Sequence, residues 1–214
     1  MQALNALLRV GRRIGGSTDG VAAMEFALAL PLLVGLTMYG AEAANMAYTS
    51  QQLGDIATMS ADNISRIRLS ISNGDVTDTL GGIKMLGDRI DLRNRGRIIV
   101  SSIAPVVNAS GSVTDQRLRW QRCTGALVTS SAYATTEGST IGEAGMGSAG
   151  RKIAATKDSE LIFVEVYYTY KPLISESFFG TPRMSAVAAM VVRERTANDL
   201  LQNGANSPCT SYSA

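Results

Sequence analysis

Gly20-Val21-Ala22-Ala23-Met24-Glu25-Phe26-Ala27-Leu28-Ala29-Leu30-Pro31-Leu32-Leu33-Val34-Gly35-Leu36-Thr37-Met38-Tyr39-Gly40-Ala41 is the stretch whose reading decides the fold. From Phe26 to Ala41 the one ionisable side chain is Tyr39, an aromatic-belt residue, and the apolar character persists through Ala43 and Ala44. At about 1.5 Å per residue, a helix over Val21 to Ala44 reaches roughly 36 Å, enough to cross a hydrocarbon core of about 30 Å. The expectation is a transmembrane helix over residues 21–44. A cleaved secretory signal, cut near Ala41-Glu42-Ala43, is the alternative. Against it, the apolar run outlasts the usual signal core of about 7–15 residues, and Glu25 interrupts its start.

The flanks set the orientation. Residues 1–20 carry Arg9, Arg12 and Arg13 against Asp19, whereas the first basic residue after the run is Arg66, preceded by Glu42, Asp55 and Asp62. Basic residues stay on the cytoplasmic side, so residues 1–20 read as a cytoplasmic leader and residues 45–214 as one domain outside the membrane. Three glycines between Gly15 and Gly20 disfavour helix, which places the helix start near Val21.

Beyond the span the apolar residues take helical spacing: Met46, Leu53, Ile56, Ala57, Ile64, Ile67 and Ile71, with polar residues mostly between them. With Gly54 the sole interruption before Asn73-Gly74, this predicts one continuous helix of about 50 residues, transmembrane in its first half and amphipathic in its second. A second helix, capped by Asp75 or Thr77, is expected to run to Asp91 with Leu80, Ile83, Leu86 and Ile90 on one face. Strands follow at Arg97–Ile103, Arg117–Cys123, Glu160–Tyr170 and Met184–Arg193, the second with Leu118 and Trp120 on one face and arginines on the other. The Gly-, Ser- and Thr-rich stretch 124–152 reads as a long surface loop. The tail from Asn198 reads as polar. The fold class is therefore α+β, with a roughly four-stranded antiparallel sheet covering the helix's amphipathic half.

Composition narrows the function. The net charge is +2 with acids and bases interspersed, which sets nucleic acid aside as a partner, and there is no histidine, which removes the commonest general base and metal ligand. The expectations are no catalytic residues, no metal and no cofactor. The two cysteines, Cys123 and Cys209, form a disulfide if the domain lies in an oxidising compartment, with two buried thiols as the alternative. Gly145-Met146-Gly147-Ser148-Ala149-Gly150 matches G-x-G-x-x-G, but no strand precedes it and no βαβ unit holds it, so it reads as a flexible loop. Carboxylate pairs such as Asp75 with Asp78, or Glu160 with Glu165, read as surface charge. Glu25 is the unusual group: a carboxylate in an apolar helix marks either a functional site or a side chain reaching back to the head groups.

A basic leader ending in Gly20, then four residues, then Glu25-Phe26 inside an apolar helix, resembles the processing site of type IV prepilin-like proteins. The run from Gly20 to Leu33 resembles the TadE/TadG-like pseudopilins of the tight-adherence (Flp) pilus system. Val164-Glu165-Val166-Tyr167-Tyr168-Thr169-Tyr170-Lys171-Pro172-Leu173 is similar to a strand of that family ending in Tyr-x-Tyr-basic-Pro-Leu. The resemblance implies a pilin-like domain and a structural, non-enzymatic protein of the bacterial inner membrane, with the domain in the periplasm. It further implies cleavage by prepilin peptidase between Gly20 and Val21, and Glu25 pairing with the new α-amino group of a neighbouring subunit. Its implied partners are that peptidase, other pilins or pseudopilins, and the inner-membrane assembly machinery. An uncleaved, signal-anchored envelope protein presenting a binding domain is the competing expectation.

Overall fold

A computed structural model describes residues 19–193 and 195–213; Arg9, Arg12 and Arg13 of the expected leader lie outside the described residues. The chain divides between Asn45 and Met46 into two compact units. The first helix, α1, runs over Asp19–Ser65 with Pro31 inside it. Proline has no N–H for the carbonyl four residues back, so the ladder lacks one bond at Ala27. In the second unit α1 presents Leu53, Ile56, Ala57, Ala61 and Ile64, at i, i+3, i+4, i+8 and i+11, all buried. That narrow stripe is the one the spacing predicts.

α1 ends well before Asn73, where the apolar periodicity places its end. Residues Leu69–Ser72 form a short strand, β1, paired in parallel with a strand at the far end of the chain, β6 (Arg195–Leu201). The same distant segment satisfies the helix terminus. Arg195 donates to the carbonyls of Ile64 (2.6 Å) and Ile67 (3.2 Å), and the Arg193 amide donates to Ser65 O (3.2 Å). A helix's last carbonyls need donors, and a guanidinium supplied from 131 residues away in sequence ends the helix where local propensity would continue it. Ile71 is fully buried, but as a strand residue.

The second helix, α2, spans Asn73–Leu86. Its cap is Ser72: the hydroxyl accepts from the Asp75 amide while the Asp75 carboxylate accepts from the Ser72 amide, a reciprocal capping box. It stops at Gly87, short of Asp91, and a 3₁₀ turn (Asp88–Ile90) and one turn of helix, α3 (Leu92–Arg95), complete the corner.

The main sheet is antiparallel in the order β3-β2-β4-β5, built from β2 (Gly96–Val107), β3 (Val113–Thr124), β4 (Leu161–Thr169) and β5 (Arg183–Val191). Ile98, Val100, Ile162, Val164 and Val166 on one face pack with the α1 stripe and α2 in the principal core. The opposite face has its own core of Ile103, Leu118, Phe163, Leu161, Met146 and Ala155. Leu118 and Trp120 therefore face opposite ways, contrary to the simple alternation. The register steps from Ser102–Trp120 to Ile103–Leu118, leaving Arg119 as an extra residue in β3. Such a bulge reverses the facing of everything beyond it.

The stretch after β3 is not only surface. It folds back over the second sheet face, burying Ser131, Met146 and Ala155. Within it the G-x-G-x-x-G run is a built turn: Met146 and Ile153 exchange backbone hydrogen bonds of 3.1 and 2.7 Å. Gly145 (φ +76°) and Gly147 (φ +133°) lie where a Cβ would come within 2.1 Å of Ile153 O and 2.5 Å of Arg151 O. These glycines serve close backbone approach.

Candidate functional site

Gly20, Val21, Glu25 and Phe26 all lie near the start of α1, and every described side chain from Gly20 to Ala41 is exposed. Phe26 is 61 % and Leu28 77 % exposed. In water such a surface is unfavourable at roughly 25 cal/mol per Å² of apolar area, so a non-aqueous or protein partner is required to cover it. A Cβ on Gly20 would meet nothing within 4 Å, so no packing within the described residues demands glycine there. At about 100° per residue, Gly20 and Glu25 point roughly 140° apart around the helix, whereas Val21 and Glu25 share a face about 6 Å apart along the axis. A free α-amino group on Val21 would sit on the carboxylate's side of the helix.

Residues 20–62 match the family model described as TadE-like protein. The likeness to that family lies in α1. The match opens on Gly20 and closes three residues before α1 ends, so the TadE-like segment and the helix are almost the same object. No curated protein and no solved structure matches the chain.

The second unit's buried polar groups hold the fold together. Arg97, fully buried on β2, donates from Nη1 to Gly125 O (2.8 Å) and Ser211 O (2.6 Å) and from Nη2 to Cys209 O (2.8 Å), with the Tyr212 ring 4.2 Å from its guanidinium. Burial lowers its pKa from the ordinary arginine value, yet arginine starts so high that it stays charged. A disulfide joins Cys123 to Cys209 beside it, with the two Cα atoms 4.7 Å apart. Together they fasten the C-terminal segment across the end of β3.

On the second sheet face Glu165 is fully buried and accepts from Ser131 Oγ (2.5 Å), the Ala132 amide (3.0 Å) and Tyr167 Oη (2.6 Å). It pins the loop that covers that face. Glu160, next to β4, pairs with Arg119 at 2.6 Å, and Arg119 also contacts Asp199 of β6. The bulge aims Arg119 at this pair and so ties β3 to the closing strand. The two glutamates are not a catalytic pair: they stand on opposite faces of β4, one engaged by an arginine and one by hydroxyl and amide donors. Asp75 caps α2. Among the described residues no group of three or more His, Cys, Asp or Glu side chains is placed to hold a metal ion.

Burial raises the Glu160 pKa from 4.5 to about 7, outweighing the opposing pull of Arg119. A carboxyl whose folded pKa is raised holds its proton in the folded state where the unfolded chain has lost it. Between about pH 4.5 and 7 stability therefore falls as pH rises. Glu160→Gln should flatten this dependence. Denaturant titrations of the detergent-solubilised chain at pH 5 and pH 8 read it directly: a gap between variant and parent that is the same at both pH values would show an ordinary carboxylate.

Proposed function

We propose that the chain is a minor pseudopilin of a Tad (Flp-type) pilus, made as a membrane precursor, cut by prepilin peptidase between Gly20 and Val21, and acting structurally in pilus initiation or assembly. The observation that carries this reading is the coincidence of three features in one helix. The TadE-like match begins at Gly20, the surface from Gly20 to Ala41 is apolar and uncovered, and Glu25 stands one turn past Val21 on the same face. A membrane covers such a surface, and a neighbouring subunit's α-amino group neutralises such a carboxylate. An uncompensated charge in hydrocarbon costs several kcal/mol, so Glu25 couples insertion to assembly. The disulfide agrees with the domain lying on the oxidising, periplasmic side of a bacterial inner membrane. The partners are then prepilin peptidase, other pilins and the assembly machinery of the inner membrane.

Intact-mass measurement of the protein from membranes of cells with active prepilin peptidase should find Val21 as the first residue. Gly20→Arg should leave the precursor uncut, because a long side chain obstructs an extended substrate in a protease cleft. Glu25→Ala should be cut normally and stay in the membrane, yet give no pili. Recovery of the parent chain with its leader intact would point instead to a signal-anchored envelope protein.

A further inference from the structure

The second unit has one end where exposed apolar residues and cations gather. The loop Tyr170–Pro182, between β4 and β5, displays Phe178, 87 % exposed, and Leu173, 68 % exposed. This is a rigid display. A single turn of helix, α4 (Glu176–Phe179), is capped by Ser175, whose hydroxyl accepts from the Ser177 amide, and closed by Gly180 donating to Glu176 O at 2.8 Å. Arg95 pins it from the domain side, bonding Glu176 (3.1 Å) and the carbonyls of Thr169 and Tyr170 (both 3.2 Å). Lys171 and Arg183 flank the loop, both exposed, and neither has a carboxylate partner among the described residues.

This end also holds the start of the second unit. Tyr168 donates to Ile90 O (2.7 Å), and the adjacent Arg89 lies over the Tyr48 ring, 5.3 Å from its centroid. Tyr48 is four residues past Ala44. The second unit begins at Met46, so Tyr48 marks the end of that unit at which its chain enters.

We propose that the loop Tyr170–Pro182 is a second, peripheral membrane contact, with Phe178 and Leu173 entering the head-group region of an anionic bilayer while Lys171 and Arg183 meet lipid phosphates. It rests on the membrane-anchored reading given under Proposed function. Aromatic residues favour the membrane interface, and cations next to an anionic leaflet are held there. The unpaired cations favour an anionic lipid surface over a second copy of this end, which would bring like charges together. Docking would hold the domain against the membrane, and pulling the helix out during assembly would have to break it.

The test uses the full chain reconstituted into vesicles of phosphatidylcholine with or without phosphatidylglycerol, carrying an environment-sensitive dye at Phe178→Cys, at Leu173→Cys, or at Ser110→Cys in the turn between β2 and β3. Co-flotation with vesicles is measured first. Dyes at 178 and 173 should shift to the blue and be quenched by brominated lipid, more with phosphatidylglycerol, while the dye at 110 does neither. Replacing Lys171 and Arg183 by Glu should lower the docked-to-undocked ratio at least fivefold for each cation lost. A chain that floats while both loop dyes emit as in water overturns the proposal. So does a blue shift that grows with protein density and resists brominated lipid, which would assign the loop to a second copy. A chain that does not float removes the anchored reading itself.

Discussion

Arg97→Met is expected to cost about 2–4 kcal/mol of folding stability, since the charge goes and the carbonyls it bonded are left without a donor. The loss arises less from the charge than from what it leaves behind. The carbonyls of Gly125, Cys209 and Ser211 lose their donor together; the Gly125 bond is buried, where an unsatisfied acceptor costs about 1–3 kcal/mol, and the other two are part-buried and cost less because water reaches them. Methionine fills much of the volume but donates nothing. Arg97→Lys should fall between, since one ammonium keeps the charge but cannot reproduce the planar fork that reaches residues 125, 209 and 211 at once. Equilibrium unfolding of the detergent-solubilised chain, followed by far-ultraviolet circular dichroism and by Trp120 fluorescence, measures both. A Met variant within about 1 kcal/mol of the parent, less than one orphaned acceptor costs, would show that the carbonyls find other donors.

Cys209→Ser is expected to cost a comparable amount by a different route. The bridge closes a sequence separation of 86 residues, and constraining an unfolded loop of that size is worth roughly 4–5 kcal/mol on the chain-entropy account. The variant should unfold at markedly lower denaturant, and the parent should move to the same midpoint when reduced. Arg97 and the bridge hold the same segment, since Arg97 bonds the Cys209 carbonyl itself. Their losses should therefore be less than additive: once the tail is released by either change, the other has less left to hold. An additive double variant would mean that the tail stays in place through its remaining contacts.

What could be read from the residues alone divides along physical lines. The long apolar helix was legible because an apolar run at helical length needs no tertiary information. The α1 stripe and the four antiparallel strands were legible because their periodicities of 3.6 and 2 report burial directly. The end of α1 was not, because it is decided by Arg193 and Arg195, and no local pattern announces a cap from so far along the chain. One local signal did point there: Ser72-x-x-Asp75 is a capping box, and it marks a helix start at Asn73 that a continuous helix cannot accommodate. The β3 bulge escaped because alternation was read straight through Arg119. The second core escaped because Met146, Ala155 and Ser131 are scattered through a Gly- and Ser-rich stretch whose composition resembles an exposed loop. At the candidate site the spacing of Gly20 and Glu25 is a sequence feature, and helix geometry puts Val21, not Gly20, on the carboxylate's face. The loop around Phe178 drew no notice, since an isolated aromatic carries no pattern.

The pairing of β1 with β6 bears on the order of events in the life of the chain. Ser72 lies beside Leu201, so the first strand after α1 is completed by almost the last. On the reading given under Proposed function, the chain crosses a membrane and presents these two segments at opposite ends of its passage, and long-range pairings of this kind form slowly. Until residues 193–209 arrive, α1 lacks the donors that end it, the small parallel sheet has one strand, and Cys123 has no mate. The domain is thus locked late and all at once, by its own tail. During that interval the outer half of the helix lacks its terminus, a window in which a chaperone or a neighbouring subunit could engage it.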